Sequence, residues 1–169
     1  MISYRNLLML CGLAALVAAP AFIYPMLVVK LLCFAIFASA FNLMLGYTGL
    51  LSFGHAMFFG SAGYALGVTT KYLGWTPELG LVAGVAVAAL IGFLAGSVAI
   101  RRQGIYFAMI TLAISQLIYF VAMQMDWTGR DDGFHGIPRG KLFGVIDLQD
   151  DLALYALVAV CFVLALAAI

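Results

Sequence analysis

One stretch of the chain combines residue types that could handle a small polar ligand. It reads Gly46-Tyr47-Thr48-Gly49-Leu50-Leu51-Ser52-Phe53-Gly54-His55. Glycines at this density, with a Thr and a Ser among them, make poor continuous helix, because each interior Gly costs about 1 kcal/mol relative to Ala. The stretch interrupts a run of 40 residues without formal charge between Lys30 and Lys71. Irregular backbone at membrane depth survives only when it is buried in protein or lines a wet cavity. Ser52 is a suitable N-cap for the helix that follows, its hydroxyl accepting a free amide. The start of that helix carries the positive end of a dipole. In transporters, interrupted helices aim such ends at anionic substrate groups near the midplane. The alternative is a tight turn between two ordinary helices. The candidates here are Gly46, Gly49, Ser52, Gly54 and His55, with Asn42 just before them. His55 and Asn42 also have a plain structural use, hydrogen bonding to a neighbouring helix.

A second group is Tyr106, Thr111, Ser115 and Gln116. Thr111 and Ser115 are four apart and share a helix face. Polar groups in mid-bilayer face protein or a cavity and are functional candidates. None of them is ionisable, and no Asp, Glu, Lys or Arg falls inside an expected span. That argues against a proton relay, a proton-coupled pump or a voltage sensor. Energy for uphill transport would have to come from another chain. No catalytic constellation, phosphate loop or metal spacing is present, so no catalytic residue, cofactor or metal is expected. Cys11, Cys33 and Cys161 lie in apolar segments without redox spacing and read as small hydrophobes.

The elements that must position these residues follow from composition. Hydrophobic residues make up 66% of the 169 and charged ones 9%, with net charge +1 and mean hydropathy +1.16. Such a chain cannot cover a water-exposed surface, which excludes soluble enzymes, nucleic-acid binders and disordered tails. Charges punctuate it: 24 uncharged residues lie between Arg5 and Lys30, 22 between Glu78 and Arg101, 23 between Arg102 and Asp126, and 18 after Asp151. A crossing needs about 20 apolar residues, so each interval fits one helix and the 40-residue interval fits two. The alternation of a transmembrane barrel is absent. The expectation is an all-α, polytopic transmembrane bundle forming one domain over residues 1–169. Its helices, about six, fall near 7–28, 31–45, 53–70, 79–100, 104–125 and 152–169.

Two points have rival readings. Arg5, an apolar run and Ala19-Pro20-Ala21 resemble a cleavable signal peptide. A retained helix with a break at Pro20 and Pro25 fits the continuing apolar character better. Arg101 and Arg102 in a short loop favour that loop, and hence the N-terminus, inside. The remaining Lys and Arg residues then lie outside, five against three inside, which runs against the rule.

Small residues are placed for packing. Gly80, Gly84, Ala88, Gly92 and Gly96 recur every fourth position, and Gly60, Gly63 and Gly67 form a similar set. Such ridges let helices approach closely where lipid offers no hydrophobic drive. The polar stretch 126–151 reads as a loop, serving as a connector or as a docking site for an external partner. Asp131-Asp132 alone is too little for calcium.

Three blocks occur in order: Phe41 to His55 with Phe58-Phe59-Gly60 and Gly63-Tyr64; Arg102-Gln103-Gly104-Ile105-Tyr106-Phe107-Ala108-Met109-Ile110-Thr111-Leu112-Ala113; and Asp131-Asp132-Gly133-Phe134-His135-Gly136-Ile137-Pro138-Arg139. Over residues 30–150 the sequence resembles the inner-membrane permeases of branched-chain amino acid ABC importers, the LivM type. The resemblance implies a multi-pass subunit of the bacterial inner membrane. Its partners would be a second permease subunit, two cytoplasmic ATPase subunits and a periplasmic amino-acid-binding protein. The 46–55 and 106–111 blocks would then border the translocation path. Permeases for urea or short-chain amides share much of the glycine pattern. Family members run well past 169 residues, so the resemblance makes this chain the N-terminal part of a permease. A passive channel and a non-transporting fragment are the other readings.

Overall fold

A computed structural model describes residues 23–130, 133–138, 140–142 and 146–168. Among them are five α-helices: α1 (Pro25–Thr48), α2 (His55–Tyr72), α3 (Pro77–Ala99), α4 (Ile105–Gln124) and α5 (Asp151–Ala168). A 3-10 turn, Asp126–Thr128, follows α4. A two-residue antiparallel ladder, Lys141↔Asp147 and Leu142↔Ile146, precedes α5.

Most of the expected helix at 7–28 lies outside the described residues. Its last four positions belong to α1, which starts at Pro25 and not near residue 31. The reason is local. Proline has no N–H to lose and its φ suits the first helical position. Lys30 does not end anything; it sits exposed within α1, where a long side chain can carry its charge toward the headgroups. At 24 residues α1 is about 36 Å long, more than the roughly 30 Å of hydrocarbon. By length and composition α1, α3 and α4 can each cross a membrane. Helix α2 carries more Gly, Ser and Thr, and the apolar stretch of α5 is shorter.

Large apolar side chains face outward along these helices. On α3 they include Leu81, Val82, Val85, Leu90 and Phe93, the last 76% exposed. A water-facing surface of this kind would drive aggregation, whereas lipid solvates it. Hydroxyls within the helices turn back on their own backbone. Ser39 donates to Ala35, Thr69 to Ala65, Thr70 to Leu66 and Thr111 to Ala108, over 2.8–2.9 Å. That satisfies the polar hydrogen without water.

The chain divides into two compact units. In the first, residues up to Ala40 and from Leu148 on, Val28, Val29 and Leu32 of α1 pack with Tyr155 and Ala159 of α5. Cys33 lies half-buried against that cluster, while Cys161 is exposed; Cys11 is outside the described residues. The second unit, Phe41–Asp147, holds the helices around the candidate residues. There α2 and α3 form an antiparallel hairpin and make its most extensive helix contact. The turn between them is fixed by the Trp75 amide, which donates to the Thr69 carbonyl at 3.2 Å.

Glycines of the α3 ridge set the spacing of that hairpin. A Cβ added at Gly84 would stand 2.9 Å from the Ala62 carbonyl oxygen, and one at Gly80 3.0 Å from Thr70 Cγ2. One at Gly92 would meet Phe58 at 3.5 Å, and Gly96 only reaches Ile100 of the adjoining turn. Ala88 is half-buried. On α2 the arrangement differs. Gly60 and Gly63 face open space, and Gly67 is covered by Phe134 and Ile137 of the 126–151 connection and not by a helix.

Candidate functional site

Helix α1 ends at Thr48 because Gly49 adopts φ +64°, a left-handed conformation that costs other L-residues about 1–2 kcal/mol. Its amide closes the helix by donating to the Leu45 carbonyl at 3.0 Å, an αL cap. The Thr48 hydroxyl donates to the Met44 carbonyl at 2.7 Å and accepts from the Leu50 amide at 3.3 Å. Nothing lies within 4 Å of a Cβ placed at Gly49 or Gly46. A substitution at Gly49 therefore tests backbone conformation with no steric clash. Gly49→Asn should leave solute uptake near its original rate, since Asn tolerates this region. Gly49→Val should lower uptake several-fold at equal membrane abundance, read by immunoblot beside the uptake assay.

Ser52 is buried, but it is not the N-cap expected from sequence. Its hydroxyl accepts the Gly54 amide at 3.2 Å, two residues ahead, a Ser turn inside the break. Gly54 itself is the N-cap and α2 begins at His55. The physical reason is the approach of α4. A Cβ at Gly54 would lie 3.0 Å from the Thr111 carbonyl oxygen and 3.2 Å from both Thr111 Cβ and Met57 Cε. Only a residue without a side chain brings the break this close to α4.

The His55 ring packs edge-on against two phenyl rings. Phe41 of α1 is 5.2 Å away at 87° and Phe58 of α2 is 5.9 Å away at 85°. The break is thus pinned on one side by an aromatic cluster and on the other by Thr111. Both Thr111 and Ser115 are buried, so α4 turns its small polar face inward. Gln116 and Tyr106 point the other way and are exposed, as are Asn42 and Gly46 on α1. Gly54, His55 and Thr111 are brought together; Asn42, Gly46, Tyr106 and Gln116 are not part of that contact.

The depth of the contact follows from helix geometry. Thr111 is six residues past Ile105, the first residue of α4, so Gly54 meets α4 about 9 Å along its axis. The other end of α4 leads into the 3-10 turn; its start follows the exposed pair Arg101–Arg102. Gly104, with φ +63° and ψ −135°, turns the chain from that pair into α4. The break is therefore recessed from the arginine end, and its two faces differ. Ser52 and Gly54 are buried, while Tyr47 is 83% exposed and Leu51 and Phe53 are also open.

Sequence reasoning missed Phe41, Met57 and Phe58 as neighbours of the site. Phe41 meets His55 across the break, a contact that no periodicity announces. A surface depression lined by Gly74, Trp75, Pro77, Glu78, Gly140 and Lys141 lies at the opposite end of α2.

A family model described as "Branched-chain amino acid transport system / permease component" matches residues 22–169. The chain belongs to that family. It is 32% identical over 110 residues to the high-affinity branched-chain amino acid transport system permease protein LivM of Escherichia coli (strain K12), an alignment covering 62% of this chain and 25% of that protein. The LivM protein of Salmonella typhimurium is similar to the same extent, 32% over 110 residues, 62% of this chain and 25% of the relative. The chain thus spans about a quarter of the length of the curated relatives it matches. No solved structure matches it. Family membership and the lipid-facing helices make this permease-family chain an integral membrane protein.

Proposed function

We propose that the chain is a transmembrane permease subunit of an ATP-driven importer of branched-chain amino acids. The observation that carries this reading is the half-covered break: Gly54 is packed on Thr111 and the adjoining His55 on Phe41, while Gly49, Leu51 and Phe53 are exposed. Open irregular backbone recessed in a membrane needs protein or water over it, and a translocation path supplies both. The charge pattern suits a zwitterion. The C-terminal end of α1 is the negative end of a helix dipole and the N-terminal end of α2 the positive end of another. Only the six residues 49–54 separate them, one end suited to an ammonium and the other to a carboxylate. Phe41 and Phe58 offer apolar surface for a branched side chain.

In this reading Gly49, Ser52, Gly54 and His55 shape the path. Thr111 and Ser115 hold α4 against it, and Asn42, Gly46, Tyr106 and Gln116 face the path or a partner subunit. The partners are a second permease subunit, two cytoplasmic ATPase subunits and a periplasmic amino-acid-binding protein. ATP hydrolysis takes place on the ATPase subunits, so this chain supplies no catalytic residue. The location is the bacterial inner membrane, with Arg101 and Arg102 on the cytoplasmic side.

Deleting the gene in its native cell should abolish ATP-dependent uptake of labelled leucine at low concentration, and restoring it should bring uptake back. Unchanged leucine uptake in the deletion strain would refute the proposal. Loss of urea or acetamide uptake in place of leucine would move the substrate class to amides.

A further inference from the structure

A second long-range attachment of α2 lies far from the break. Phe134 lays its ring on the backbone of α2 at Gly67, where an added Cβ would stand 2.5 Å from Cε1 and 2.7 Å from Cδ1. Ile137 closes the same spot, with Cδ1 3.1 Å from that position. One helical turn further on, the Lys71 ammonium donates to the His135 carbonyl at 2.7 Å, across 64 residues of sequence. The same ammonium lies 4.8 Å from the centre of the Phe134 ring, within cation–π range. Tyr72 adds a tilted ring contact at 6.2 Å. His135 folds back on its own segment, its Nδ1 3.1 Å from the Gly133 carbonyl.

We infer that residues 133–137 are a strap latched onto the far end of α2, and that the latch must release for the break at the near end to change shape. The inference rests on the transport reading above. Helix α2 is a rigid rod of 18 residues, about 27 Å long. It is held at its start by Gly54 on Thr111 and at its end by Gly67 under Phe134. A rod pinned at both ends cannot tilt. Its side lies along α3, with Ala62 against Gly84 and Thr69 and Thr70 against Gly80. The far attachment is suited to reversible release. It consists of Phe134 and Ile137 on a glycine, a tilted ring contact with Tyr72, one cation–π contact and one hydrogen bond from an exposed lysine, small side-chain contacts of the kind from which moving elements are drawn. The near attachment is buried backbone and is not. Movement that begins at the strap is therefore transmitted along α2 to residues 49–54.

Two measurements test this on the full chain within its native importer, with Cys11, Cys33 and Cys161 replaced by Ser. The first is hydrogen exchange of the amides of residues 68–72. Phe134→Ala and Gly67→Ala should each speed it about tenfold, and Gly63→Ala, facing open space, should not. Exchange equal to that of Gly63→Ala in either variant would overturn the latch. The second joins Gly67→Cys to Phe134→Cys with a short bis-methanethiosulfonate reagent. The bridged protein should stop taking up leucine and recover with dithiothreitol. Uptake that continues while bridged overturns the need for release, and failure of the two thiols to bridge overturns the docked geometry. An unmodified importer that does not take up leucine refutes the transport reading, while the exchange result still decides the latch.

Discussion

Gly54→Val should lower leucine uptake about tenfold or more while leaving membrane insertion and abundance unchanged. The argument is steric. The first carbon of any side chain at position 54 falls 3.0 Å from the Thr111 carbonyl oxygen, and that oxygen belongs to the backbone of α4 and cannot rotate away. Met57 Cε, 3.2 Å distant, is the end of a flexible side chain and can move. Gly54→Ala then needs a shift of a few tenths of an ångström and should keep a measurable fraction of the rate. The two further methyls of Val demand more than Met57 can yield, so the break must lift from α4. Overpacking of this kind costs about 1–3 kcal/mol, enough to redistribute a local arrangement without unfolding the helices. Uptake assays beside quantitative immunoblots separate the two effects. Equal rates for Gly54→Val and the original chain would show that the contact with Thr111 has no part in transport.

The largest effect on folding is expected at Gly84. Its added Cβ would stand 2.9 Å from the Ala62 carbonyl oxygen, with the Ala62 carbonyl carbon and Cα at 3.5 and 3.6 Å. All three neighbours are backbone of α2, so accommodation means moving one whole helix off the other. Within lipid, close contact itself supplies much of the association. Separation forfeits packing along Gly80 and Gly92 as well. Gly84→Val should destabilise the purified chain in mild detergent by about 1–3 kcal/mol, seen as a lower unfolding midpoint by circular dichroism. Gly63→Val is the matched control: it makes the same change on α2 but faces open space. Equal midpoints for the two variants would remove the ridge from the account of stability.

How much of this was written in the sequence can be told residue by residue. Charge spacing pointed to an apolar helical chain, because a bilayer penalises charge and unpaired backbone heavily. The interruption near residues 46–55 was legible for the same reason: glycines at that density do not sustain a helix in apolar surroundings. The break runs from Gly49 to Gly54, inside that stretch. Boundaries set by single side chains were less legible. Lys30 looked like an end and is a passenger within α1, because a long side chain can carry its charge outward while the backbone continues.

Tertiary structure alone decided which residues meet. Periodicity gave Gly54 and Thr111 no relation, nor Lys71 and His135, because both pairs are joined by long-range folding and not by helical spacing. The two glycine sets looked alike, yet Gly80 and Gly84 meet α2 while Gly67 receives a phenyl ring. A small residue specifies only that something may come close; what comes is fixed by the path of the rest of the chain. The amino-acid sequence determined a lipid-embedded helical chain of the permease family with one irregular break, through local preferences that act wherever the residue stands. The partners of that break depend on the register of packed helices, which exists only once the chain has folded.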